Sequence, residues 1–439
     1  MSESSKLENL AKTAAEKIRN YRFVRLISHN DADGLAAAGI MAQALLRAGI
    51  PFHLSIAARL DKNLIEKINQ STAPEELVIF CDMGSGQPEL LREVGAETLV
   101  LDHHKPVGES PAKVFVNAHC VGVDGATDIS ASGTCYLVAR ELGAENLDLA
   151  GLAIAGAVGD RQLFRTENAL ILEEALKNGV ISIRKGLKVG DGDVAEVLAY
   201  STEPFLDITA SPEKVKNFLE KLEISGKIET LSPKDVSKLA NAVALKLAGQ
   251  ASPEAIEAVI GDIYLLNLEL VHNVYDFVSV LNTCGKLKLY GLALAFCMKA
   301  PGVTDEALAL AKEQEKKLAL EIRESMDNLR KGENIWYLKT VDALSTGNLA
   351  STVVRYLHPE LPFICLNESE GILKISARGT RELVSKGLDL ASALREAAGA
   401  LGGNGGGHNV ASGASIPLEK SAEFLGIVDR LVGEQLKKN

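Results

Sequence analysis

A chain of 439 residues, 46% of them hydrophobic and 24% charged, has the makings of two or three folded domains rather than one core or a disordered polymer. Its formal net charge of −11 excludes binding of nucleic acid by a broad cationic surface, although a local groove beside bound divalent cations can still track one strand. No uninterrupted apolar run approaches the roughly 18 residues of a membrane span, and the six cysteines form no C-x-x-C pair, so buried thiols are expected and structural zinc is not.

Residues 1 to 20 are polar and helix-forming, without the apolar centre of a signal peptide, which points to a cytoplasmic protein. Phe23 to Ile27 reads as a buried strand and runs into His29-Asn30-Asp31-Ala32-Asp33-Gly34, followed by a helical pattern from Leu35 to Ala48. The alternation then recurs. Leu77 to Cys81 ends at Asp82-Met83-Gly84, a helical pattern covers Pro88 to Val94, and Glu97 to Leu101 ends at Asp102-His103-His104. The apolar segment Leu152 to Val158 closes on Gly159-Asp160-Arg161. Such alternation predicts βαβ units around a parallel sheet, hence an α/β fold.

Ligands of an open α/β sheet bind beyond the carboxyl ends of its strands. One Asp there is an ordinary cap or turn; four acidic or His-bearing clusters predict a shared site. Carboxylates with imidazole suit Mn²⁺ or Mg²⁺ better than zinc, and more donors than one ion needs predict a two-metal centre. Asp31 and Asp33, two apart in extended chain, are expected to project to one side. The small residues after Asp82 let its carboxylate face the crevice. His103 and His104 point opposite ways in an extended segment, so they are expected to differ in role, with His103 a ligand and Asp102 orienting an imidazole. Asp160 ends a helix-like segment, where the dipole disfavours a carboxylate and a cation would compensate.

Further along, Ile181 to Asp193 reads as an irregular connection. Ser211-Pro212-Glu213, Ser232-Pro233-Lys234 and Ser252-Pro253-Glu254 each open a helix, which predicts a helical insert without catalytic residues, suited to docking proteins. Asp305 to Lys331 is expected to be a long solvated helix. Strands return at Ile335 to Leu338, Phe363 to Leu366 and Leu373 to Ser376, predicting a second, smaller α/β domain. In it, Gly402 to Gly413 reads as a loop of exposed N–H groups able to nest an anion, with His408 as a further donor. Ser376 and Arg378 stand at a strand end, and Arg378 can grip a phosphate with two bonds. Ser132-Gly133-Thr134 reads as a helix cap, and His53, His119, His272 and His358 as structural.

In this order and wording the motifs resemble the DHH phosphoesterase superfamily, most closely its archaeal RecJ-like single-strand exonucleases, the group that includes the nuclease associated with the GINS replication complex. The run Gly402-Gly403-Asn404-Gly405-Gly406-Gly407-His408 resembles the signature of the DHH-associated domain. The resemblance implies a DHH domain over 18–195, a helical insert over 196–303, a linking helix over 304–332 and a DHH-associated domain over 333–439, set around a cleft. It implies two divalent ions, Mn²⁺ preferred and Mg²⁺ possible, held by His29, Asp31, Asp33, Asp82, His103 and Asp160, with Asp82 as the bridge. It implies catalytic roles for His104, set against the scissile phosphate, and for Asp102. Substrate is assigned to Arg378, Ser376, Gly405, Gly406, Gly407 and His408. The expected activity is hydrolysis of single-stranded DNA or RNA from an end, in replication or repair, with GINS-type factors as partners and no membrane. The alternatives are a phosphodiesterase for oligoribonucleotides or cyclic dinucleotides or a relative of the pyrophosphatases, and a replisome scaffold with residual catalysis. One departure stands out: His29 occupies the place where bacterial RecJ-type proteins often carry the first Asp of Asp-x-Asp-x-Asp-Gly.

Overall fold

The computed structural model describes residues 3–437 apart from 342, 344 and 370. The chain forms two compact units, Met1–Arg184 with Asp262–Lys312, and Lys185–Gly261 with Glu313–Asn439.

The first unit is built on the expected parallel sheet. Its strands are β1 (Val24–His29), β2 (Phe52–Ala57), β3 (Leu77–Cys81), β4 (Glu97–Asp102) and β5 (Val114–Asn117), in the order β2-β1-β3-β4-β5 with every pairing parallel. Residues of β3 are buried without exception, because both faces of the sheet are covered. Leu26, Ile79, Leu99 and Leu101 face the larger core, made with helices α1 (Ala32–Arg47), α2 (Ala131–Leu142) and α3 (Ala150–Gly159). Ile27, Val78, Phe80 and Val100, the alternate residues, pack with Ile65, Ile68 and Leu91 on the other face. The strand order reverses between β1 and β3, so the crevice beyond their carboxyl ends is the switch point where an open α/β sheet places its ligands.

The segment 196–303 does not stay together. Residues 196–261 fall in the second unit and 262–303 in the first. The reason is the apolar stripe Val274, Phe277, Leu281 and Cys284 on helix α4 (Val274–Lys286), which recurs every three or four residues and is buried in the first unit's core with Phe296 and Cys297. Ile181–Leu187, read as irregular, is a strand paired with Ile260–Leu266.

The long helix is α5 (Thr304–Ser325), shorter than expected and not solvated throughout: Ala307, Ala311, Leu318 and Ile322 bury one stripe of it. In the second unit a mixed sheet has the strands β6 (Arg330–Lys331), β7 (Trp336–Val341), β8 (Phe363–Ser369), β9 (Ile372–Arg378), β10 (Asn404–Gly407) and β11 (Ala411–Pro417). Their order is β10-β11-β9-β8-β7-β6, with β7 and β8 parallel and the other pairs antiparallel. Helices α6 (Thr346–Tyr356) and α7 (Leu390–Ala400) pack on it. The glycine run is therefore an edge strand and not a loop. Gly405 lies so close to α7 that a Cβ there would stand 2.5 Å from the Leu394 carbonyl oxygen. Within Gly402–Gly407 only Gly402 and Gly407 adopt positive φ.

The cysteines are all free thiols, five buried and Cys120 exposed. Among the described residues no helix is long and apolar enough to cross a membrane.

One buried carboxylate lies outside any motif. Glu269 makes no hydrogen bond with either oxygen, and the Lys299 ammonium lies 3.3 Å away. Burial pushes its carboxyl up to about 7 against the partial offset of Lys299. The folded state thus holds this proton more tightly than the unfolded chain, so the stability it contributes is greatest below pH 4.5 and falls as pH rises towards 7. Glu269→Gln should raise the unfolding free energy by about 2 kcal/mol at pH 8. The gain should vanish below pH 4.5, as denaturant titrations at the two pH values would record.

Candidate metal centre

The site is assembled at the carboxyl ends of β1, β3 and β4 and the facing ends of three helices. Asp82 follows β3 directly and adopts φ +59°, a left-handed conformation uncommon outside glycine. Its N–H donates to the Leu101 carbonyl at 2.9 Å, which ties the residue to β4. The carboxylate is buried, yet neither oxygen makes a hydrogen bond. Oδ2 is 3.4 Å from His29 Nδ1; Oδ1 is 3.4 Å from His103 Nε2 and 3.7 Å from His104 Nδ1. Burial and the neighbouring Asp31 push the Asp82 carboxyl upward, against the pull of the imidazoles.

Asp31 caps α1, its Oδ1 accepting the Gly34 N–H at 3.0 Å, while Oδ2 lies 2.9 Å from His29 Nδ1. Burial works to raise Asp31, but His29 outweighs it and holds the carboxyl well below the usual range. Asp33 is set differently. Because α1 begins at Ala32, the two aspartates are not in extended chain, and Asp33 turns within the first helical turn towards α2. Its Oδ2 accepts the Ala131 N–H at 2.7 Å and its Oδ1 the Ser132 N–H at 3.0 Å, the first free donors of α2. Gly156 on α3 makes room: a Cβ there would stand 2.2 Å from Asp33 Oδ1 and 2.0 Å from Ser132 Oγ.

His103 Nδ1 lies 2.7 Å from the Gly125 carbonyl oxygen, which can only accept, so Nδ1 carries the proton and Nε2 is turned inward. From Nε2 the distances are 3.3 Å to Asp160 Oδ2 and 3.9 Å to Asp33 Oδ2. Gln162 braces the same carbonyl, donating to Gly125 at 2.9 Å and to Ile129 at 3.0 Å. Asp160 is the C-cap of α3, and burial together with Asp33 raises its carboxyl well above the ordinary range.

Asp102 is saturated. Its oxygens accept the Ser85 N–H at 3.0 Å and the His103 N–H at 2.8 Å, and Oδ1 stands 2.8 Å from His104 Nδ1. Burial opposes its ionisation, but the His104 bond prevails and the carboxyl lies well below the usual range. The imidazole that Asp102 orients is thus that of His104, which is 48% exposed at the rim. Asn117 closes the network, donating to Ser85 Oγ and to the His104 carbonyl.

Donor atoms fall into three groups, each within 4.8 Å: His29, Asp31 and Asp82; Asp33, His103 and Asp160; and Asp82, Asp102, His103 and His104. Asp82 is common to two of them. Burial would lower His29, yet Asp31 and Asp82 push it up to about 11, and the carboxylates raise His103 and His104 as well. The field that keeps protons on these imidazoles equally favours a divalent cation. The donor set fits one: carboxylate oxygens and imidazole with no thiolate, and at the centre a buried carboxylate whose oxygens have no hydrogen-bond partner.

The remaining expected residues lie in the second unit. Ser376 and Arg378 on β9 pair with Gly413 and Ala411 on β11, and Gly406 and Gly407 of β10 flank β11 from its other side. His408, exposed, donates its N–H to Ala411 at 2.8 Å. The structure therefore gathers these residues on β9 and β10, the two strands that flank β11, with His408 directly after β10. Ser376 Oγ is 2.8 Å from Thr346 Oγ1 at the start of α6, and Arg378 Nη2 would be 3.1 Å from a Cβ on Gly347. Thr346 and Gly347 carry no sequence signal of this role; neither do Gly125, Gly156, Gln162 and Asn117. Ser132, read as a cap, lies inside the first turn of α2 instead; the N-cap is Ser130, whose side chain accepts the Gly133 N–H.

A family model for the N-terminal domain of the DHH family matches residues 24–157, and a DHHA1 domain model matches residues 332–434. The chain is 35% identical to an uncharacterised protein of Methanocaldococcus jannaschii, with all of both chains covered. It is 27% identical over 284 residues to the single-stranded-DNA-specific exonuclease RecJ of Thermus thermophilus, covering 58% of this chain and 42% of that protein. The crystal structure of T. thermophilus RecJ in complex with Mn²⁺ shares the fold at a TM-score of 0.63 and 17% identity, over 98% of this chain and 55% of that one. CDC45 from Entamoeba histolytica shares it at a TM-score of 0.70 and 12% identity, over 99% of both chains. The chain thus spans about half the length of the RecJ protein it matches.

Proposed function

We infer the function of this chain from its family: it belongs to the DHH phosphoesterase superfamily and is RecJ-like. On our reading it is a metal-dependent exonuclease specific for single strands of DNA or RNA, acting in replication or repair. The observation that carries this reading is Asp82, a buried carboxylate without hydrogen bonds shared by two groups of donors at the sheet's switch point. His29, Asp31, Asp33, Asp82, His103 and Asp160 would hold two divalent cations, Mn²⁺ by preference and Mg²⁺ otherwise. Such a pair supplies Lewis-acid polarisation of the phosphate and of the attacking water.

The chain's own groups do the rest. Asp33, pinned by two backbone donors, and His103, pinned through Gly125, present fixed ligand atoms without reorganising. His104, aligned by Asp102, which raises its imidazole against the opposing effect of burial, would in its protonated form donate to an oxygen of the scissile phosphate. Arg378, Ser376, His408 and the N–H groups of Gly405 to Gly407 would hold the strand's backbone. Partners of the GINS type belong to the same reading, on the strength of the resemblance to archaeal RecJ-like nucleases.

End-labelled single-stranded DNA and RNA, with duplex controls, tested in Mn²⁺, Mg²⁺ and EDTA should show stepwise shortening of single strands in metal alone. Hydrolysis confined to dinucleotides would reassign the chain as a small phosphodiesterase, and no hydrolysis of any phosphodiester would overturn the reading. Arg378→Ala and His408→Ala should each raise KM for long oligonucleotides about tenfold and change kcat little, equivalent to about 1.4 kcal/mol of lost binding. Steady-state kinetics on 20-mers would check this, and a pure loss of kcat would move these residues into the chemical step.

A further inference from the structure

Helix α4 lies about 250 residues from the first metal motif in sequence, yet it is built against that motif. Asn282 Oδ1 accepts the N–H of Ala32 at 3.2 Å, an otherwise orphan donor in the first turn of α1. Asn30 Nδ2 donates to the Gly285 carbonyl at 3.3 Å. Gly285 also takes the Asn30 backbone directly against it: a Cβ on Gly285 would stand 1.8 Å from the Asn30 carbonyl oxygen. The residues on either side of Asp31 are thus both fastened to α4. The fastening point is itself rigid, since Phe277, Val280, Leu281 and Cys284 are fully buried and the Phe277 and Phe296 rings lie 4.8 Å apart. A second clasp holds α1 further along, where Gln43 donates to the Cys297 carbonyl and a Cβ on Gly39 would stand 2.7 Å from Cys297 Cβ. On the other side, Val278 lies 3.7 Å from where a Cβ on Gly159 would stand, next to Asp160.

We propose that Asn282, with Gly285, is a positioning residue of the metal centre, holding the His29–Ala32 loop so that His29 and Asp31 converge on Asp82. The inference rests on the metal-centre reading. Both residues act as outer partners that orient a ligand loop: neither belongs to the donor groups of the centre, and the side chains of Asn30 and Asn282 fasten the loop between β1 and α1 to α4 through two hydrogen bonds. Loss of that tether leaves the donors present but no longer converged. The cost then falls on cation affinity, and excess cation recovers it.

Mn²⁺ binding to the full chain, followed by titration calorimetry and by the electron-spin resonance of free Mn²⁺, tests this without reference to turnover. Asn282→Ala should weaken Mn²⁺ binding roughly 10–100-fold, and Gly285→Ala should do so at least as strongly. Asn282→Asp, which retains an acceptor for the Ala32 N–H, should bind Mn²⁺ more tightly than Asn282→Ala. Phosphodiester hydrolysis by Asn282→Ala should return towards the unsubstituted rate at high Mn²⁺. Unchanged Mn²⁺ affinity in both alanine variants, with only a lower melting temperature, would overturn the proposal and leave α4 a purely structural element. Absence of Mn²⁺ binding by the unsubstituted chain would overturn the metal-centre reading and this proposal with it, whereas binding without nuclease activity would leave the positioning role intact.

Discussion

Asp82→Asn should lower kcat for phosphodiester hydrolysis at least a thousandfold at saturating Mn²⁺, a barrier increase of about 4 kcal/mol. The amide is isosteric, and asparagine tolerates the left-handed backbone that Asp82 adopts, so the local geometry survives. What is lost is the negative charge common to two donor groups. The same substitution should raise the melting temperature measured in EDTA. A buried carboxylate without hydrogen bonds carries a desolvation cost of a few kcal/mol, and the neutral amide relieves part of it. Activity and stability therefore move in opposite directions, which damage to the fold cannot produce. Undiminished hydrolysis by this variant would refute the placement of Asp82 at the centre of the site. Asp82→Ala tests the same charge less cleanly, because alanine is strained at φ +59°.

Gly156→Ala separates local propensity from tertiary geometry. Gly156 lies inside α3, where replacement of glycine by alanine normally stabilises a helix by about 1 kcal/mol. The structure reverses the sign. The new Cβ would stand 2.0 Å from Ser132 Oγ and 2.2 Å from Asp33 Oδ1, distances no carbon can hold. Either α3 moves away from α2 or Asp33 leaves the two N–H groups that pin it. The expected loss is about 1–3 kcal/mol in denaturant unfolding. Hydrolysis should fall by roughly two orders of magnitude, because removing the outer partners of a ligand typically costs 10–100-fold. A variant as stable and as active as the unsubstituted chain would show that Asp33 is not held where it is by this packing.

What the sequence determined by itself is what is written in neighbouring residues. Apolar runs such as Leu77 to Cys81 and Glu97 to Leu101 identify strands covered on both faces, and the carboxylates that follow them are attached covalently to the strand ends. A parallel sheet brings those ends to one edge, so the convergence of Asp31, Asp33, Asp82 and His103 was legible in the sequence, whereas Asp160, at the end of a helix, joins them only through the packing of α3. Tertiary structure alone decided how the donors divide among groups, because that depends on distances between elements. Asp33 turns to the N-terminus of α2, which no spacing within its own motif encodes. The inward-facing nitrogen of His103 is chosen by the Gly125 carbonyl, and the room for Asp33 by the absence of a side chain at Gly156. The same holds for the glycine run, whose composition permits a loop but whose strand conformation comes from pairing with β11 and close packing on α7. The stripe on α4 announces a buried face yet not the partner it covers. Hydrophobic periodicity records that a surface must be hidden; which surface hides it is settled only when segments about 250 residues apart pack together.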